Sequence, residues 1–112
     1  MLILATIFFA IAAIGGAILI SYVLQDLNTP KGLAFVHGGV AGVGILLLIL
    51  SLFVYESAPI TSLILFVLVA IGGFVMIHRD ITGKSLPKWL AIGHGSLAVI
   101  AFVFLLAFIY YA

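Results

Sequence analysis

The chain has 112 residues, 67% of them hydrophobic, and only seven carry a formal charge. A soluble domain of that length would lack the polar surface to stay dispersed, and four scattered Lys and Arg side chains do not make the basic surface that nucleic-acid binding needs. Cysteine is absent, which excludes disulfides and thiolate metal sites.

A hydrocarbon layer of roughly 30 Å takes about 20 apolar residues per helix, and four runs meet that length. The first, Leu2 to Leu24, has no basic n-region and is longer than a signal-peptide core, so it reads as a retained span. A loop around residues 25 to 32 follows. The second run, Leu33 to Tyr55, contains FVHGGVAGVG near its start. Those glycines lie inside an apolar helix rather than at a strand-to-helix turn, so they do not form a phosphate loop. After the turn at Glu56 comes Ile60 to Ile77, which ends on His78-Arg79-Asp80. The loop 79 to 88 leads to the last run, Trp89 to Tyr111. Short connections make neighbouring helices antiparallel. The expected fold is all-α: one four-helix integral membrane domain over residues 1–112.

All four basic residues, Lys31, Arg79, Lys84 and Lys88, fall in the two loops on one side, whereas the opposite side has only Glu56. The positive-inside rule puts loops 25–32 and 79–88 in the cytoplasm and both termini outside, as in a bacterial inner membrane. Trp89 and Tyr22 suit the inner aromatic belt, and Tyr55, Tyr110 and Tyr111 the outer one.

Displaced by 57 residues, the two halves align without a gap, and sixteen of fifty-five paired positions are identical. Composition alone predicts about five, so the chain reads as two tandem helical hairpins, residues 1–57 and 58–112. The shared pattern is P-K-x-L-A-x-x-H-G-x-x-A, running from Pro30 and from Pro87. Copies of equal orientation predict a pseudo-twofold axis along the membrane normal. His37 and His94 become equivalent, at one depth, on helices that can sit diagonally.

The helix face of His37 also carries Ala34, Ala41 and Gly44, and that of His94 carries Ala91, Ala98 and Ala101. Gly15-Gly16 and Gly72-Gly73 add small residues on the other two helices. Small stripes serve close helix packing, and Ala34, Gly38 and Gly42 equally suit a homo-oligomer face. Centred on paired imidazoles, such stripes also leave clearance for a flat porphyrin. Two neutral imidazoles supply both axial bonds of a low-spin haem b suited to electron transfer, one haem per chain. Lys31 and Lys88, six residues before each histidine, are the expected propionate partners, although interfacial anchoring also suits them. His78 and Arg79 are secondary candidates, for propionate contact, proton delivery or a quinone site, or as a solvated interfacial group. Convergence of all three histidines would instead build a zinc or copper site.

The histidine-glycine pairs His37-Gly38 and His94-Gly95, near the starts of two bundled helices, carry a resemblance to small transmembrane b-type cytochromes. The resemblance covers the whole chain at the level of architecture. It implies a haem protein that exchanges electrons with a quinone or a redox partner protein, and it leaves open whether the chain is an oxidoreductase or a carrier. Di-haem members use four histidines, with a haem near each membrane face. Here every histidine is on the cytoplasmic side, so the expectation is one inner-leaflet haem. A small multidrug-type exporter is the rival, but Leu2 to Leu24 lacks the buried carboxylate on which those exporters depend. A structural subunit of a larger membrane complex is the third reading.

Overall fold

A computed structural model describes every residue, Met1–Ala112, as four helices: α1 (Leu2–Leu24), α2 (Lys31–Val54), α3 (Ile60–Ile81) and α4 (Lys88–Tyr111). Each is long and apolar enough to cross a membrane. The bundle measures 45 × 19 × 19 Å, which matches the roughly 40–45 Å of a bilayer with its headgroups. Helices α1/α2 and α3/α4 pack most extensively, and α1/α4 and α2/α3 less so. Consequently α1 faces α3, and α2 faces α4, across the two diagonals.

The helices run past the apolar segments at the end that carries the basic loops. α2 starts at Lys31 and α4 at Lys88, each directly after a proline in extended conformation. α3 continues four residues beyond Ile77, to Ile81. Hydropathy stops at the first charge, but the i to i−4 ladder continues wherever water or headgroups can solvate polar side chains.

Both loops at this end begin with the same helix stop. Asp26 and Gly83 occupy the left-handed region, at φ 57° and 76°. The Leu27 N–H donates to Tyr22 O and Asp26 N–H to Val23 O, while Lys84 N–H donates to Arg79 O and Gly83 N–H to Asp80 O. These are paired Schellman closures, which satisfy the last carbonyls of α1 and α3.

The core is thin, because most large side chains face outward toward lipid. Ala5, Phe9, Leu48, Leu63, Phe66, Ala101 and Leu105 form it, in the half of the bundle that holds the termini. Phe9 and Phe66 stack across the α1/α3 diagonal with centroids 3.7 Å apart and planes 3° from parallel. Nothing larger than glycine fits beside them at residue 44 without a shift, since a Cβ on Gly44 would come within 2.8 Å of Phe9 Cζ.

Candidate functional site: a diagonal histidine pair

His37 and His94 enter the bundle from α2 and α4, on the basic-loop side of the phenylalanine stack. Their ring centroids are 6.2 Å apart and their planes are inclined at 71°. The His37 Nδ1 lies 2.7 Å from the carbonyl oxygen of Ala12 on α1. The His94 Nδ1 lies 2.9 Å from that of Val69 on α3. Ala12 and Val69 are themselves 57 residues apart, so the two halves use the same contact.

A carbonyl oxygen only accepts, so each Nδ1 carries the proton and donates. In the neutral ring this leaves the Nε2 lone pair free, which is the arrangement that orients metal-binding histidines. Neither Nε2 has a hydrogen-bond partner, and neither is sealed inside protein. Two metal–nitrogen bonds of about 2 Å plus two ring radii of about 1.1 Å give a centroid separation of about 6 Å for rings that both point at one ion, and the observed separation of 6.2 Å equals it. The donor set therefore fits a bis-histidine centre.

The small residues serve these rings directly. A Cβ on Gly16 would lie 2.9 Å from His37 Cε1, and one on Gly73 would lie 3.2 Å from His94 Cε1. Gly15 and Gly72 border the same two rings. Ala91 and Ala101 are buried, Ala34, Ala41 and Ala98 are half-buried, and Gly44 is taken up by Phe9. The glycine clearance is thus filled by imidazole in this closed bundle. By contrast, a Cβ on Gly38 or Gly42 would meet nothing within 4 Å, so these two glycines face out of the bundle. His37 also borders an apolar groove between α1 and α2, walled by Ile11, Ile14, Ile18, Leu33, Val36 and Val40.

Lys31 and Lys88 do lie above the histidines, at the basic end, and each has a carboxylate partner. Lys31 Nζ is 2.6 Å from Asp80, and Lys88 Nζ is 3.2 Å from Asp26. Asp80 also accepts a hydrogen bond from the buried Thr29 hydroxyl. His78 is exposed at the end of α3, and Arg79 Nε donates to Ser85 O at 2.9 Å. No group of three or more His, Asp or Glu side chains comes together with metal-holding geometry, so His78 does not converge with the pair.

Sequence reasoning missed the Ala12 and Val69 carbonyls, because every residue has a carbonyl and only packing selects one. It also missed the Asp80 and Asp26 partners. The available signal for those was that Asp26 and Asp80 are the only acids at the end holding all four cations. No family model, no curated protein and no solved structure matches this chain.

Proposed function

We propose that the chain is a membrane-embedded b-type cytochrome that holds one haem b between His37 and His94 and passes electrons at the inner leaflet. The observation that carries this reading is the diagonal imidazole pair, spaced for one metal, with each Nδ1 committed to a carbonyl and each Nε2 free. Haem would supply a one-electron couple, and bis-histidine ligation suits outer-sphere transfer rather than oxygen chemistry.

The protein's own parts then have distinct tasks. The Ala12 and Val69 carbonyls hold the tautomer and orient both rings. The Phe9–Phe66 stack closes the bundle on the side of the termini. Lys31 and Lys88, at the basic end, would be the residues that hold the propionates. Admitting the ring requires the two hairpins to part along the α1/α4 and α2/α3 seams, each of which is less extensive than the α1/α2 or the α3/α4 contact. The groove beside His37 supports a lipid-soluble quinone as the redox partner, since it leads from the bilayer to an axial ligand. The basic loops point to a bacterial inner membrane, with loops 25–32 and 79–88 cytoplasmic and both termini outside.

The test is an oxidised and dithionite-reduced visible spectrum of protein expressed with haem available. A sharp reduced α-band, lost in both His37→Ala and His94→Ala, is expected. A colourless wild-type protein would sink the reading. It would leave a second one, in which each imidazole is only a packing group bridging its hairpin through the Ala12 or Val69 hydrogen bond.

A further inference from the structure

The only two ion pairs in the chain both cross from one hairpin to the other: Lys31 on α2 meets Asp80 on α3, and Lys88 on α4 meets Asp26 after α1. They stand at the basic end of the bundle, away from the half that holds its core. The two pairs are unequal. Asp26 and Lys88 are both exposed, so solvent screens their attraction. Asp80 is only 13% exposed at its side chain, and each of its oxygens has a donor, Lys31 Nζ on one and Thr29 Oγ1 on the other. Lys31 Nζ also donates to Thr29 at 3.1 Å to the carbonyl and 3.2 Å to the hydroxyl. A three-residue knot thus ties the start of α2 to the end of α3.

We propose that Asp80, held by Lys31 and Thr29, is a carboxylate latch that closes the two hairpins over the histidine pair and is displaced from Lys31 by carboxylates of an incoming porphyrin. The latch stands on the observed contacts. The identity of the competitor rests on the haem reading above. The physical reason is that internal and incoming groups are the same chemical species competing for one ammonium. Parting the hairpins at this end separates α2 from α3 or α1 from α4, and the α2/α3 seam is the one that Asp80 holds. The Asp26–Lys88 pair assists in the same sense on the other side of the bundle.

The chain has no cysteine, so spin labels placed at Asn28→Cys and Ser85→Cys, in the two basic loops, read hairpin separation without background. The porphyrin-free protein is compared as wild type, Asp80→Asn and Lys31→Gln. Both variants should give longer and broader distances than wild type. Metal-free protoporphyrin IX, which keeps both propionates but cannot take an axial bond, is then titrated into each. Asp80→Asn frees the lysine and should bind it about two- to fivefold tighter, the scale of a partly exposed ion pair. Lys31→Gln opens the same latch but removes the receiving charge, and should bind no tighter than wild type. Wild-type distances in either folded variant, or equal tightening in both, would overturn the proposal. Since iron ligation plays no part in this readout, failure of the haem reading shows separately, as a missing α-band.

Discussion

Phe9 lies closer to Gly44 than any side chain lies to another glycine of the bundle: a Cβ on Gly44 of α2 would come within 2.8 Å of the phenyl ring of α1. That fit lets Phe9 reach the diagonal and stack on Phe66. Because Gly44 stands two helical turns after His37 on the same face, the stack sets the floor beneath the imidazoles.

Gly44→Ala should therefore displace Phe9 and cost about 1–3 kcal/mol, as for overpacking in a filled core. Gly38→Ala, which meets open space, should be neutral or stabilise the helix by up to about 1 kcal/mol. Unfolding of both variants in mixed micelles checks the contrast. Equal effects would mean that residue 44 is not packed as described.

Gly16 and Gly73 should report on the histidines rather than on the core. Gly16→Ala places a methyl against His37 Cε1, and the ring cannot turn away without losing the Ala12 carbonyl. Haem affinity should fall by about tenfold or more, the usual scale for disturbing the group that orients a ligand. Gly73→Ala meets a looser contact and should have the smaller effect. Absorbance titration of both proteins reads the order, and a reversed order would contradict the geometry.

Asp26 and Gly83 share one left-handed turn, but only glycine adopts it without steric cost. Asp26→Gly should raise stability by up to about 1 kcal/mol, since relief of left-handed strain of about 1–2 kcal/mol outweighs glycine's extra unfolded-state entropy of about 0.5–1 kcal/mol and the exposed pair with Lys88 contributes little. Gly83→Ala should lower stability by about 1 kcal/mol. Denaturant titrations in which Asp26→Gly proves the less stable protein would show that its ion pair outweighs the strain.

The spans were legible before any coordinates because lipid imposes length and hydropathy on every helix that crosses it. Their basic ends were less so, as α3 demonstrates by carrying His78, Arg79 and Asp80 within its last turn and ending at Ile81. The 57-residue offset made His37 and His94 stand out together, since a rare polar residue kept at both equivalent places is visible by eye. The role of the glycines was only half legible. Small residues at 15, 16, 72 and 73 mark a close approach, but whether an imidazole or a porphyrin edge approaches depends on which side chain points there.

Length, hydropathy, charge asymmetry and the spacing of two histidines are all local or periodic properties, so the sequence by itself determined four spanning helices and a symmetric-looking histidine pair. The 6.2 Å separation, the choice of the Ala12 and Val69 carbonyls, and the Lys31–Asp80 and Lys88–Asp26 pairs were decided by tertiary structure alone. Each joins residues at least 25 positions apart, on different helices or, for Asp26, on the turn that ends one. Such contacts arise from how ridges and small-residue grooves of whole helices interlock, and no short window of sequence contains that information.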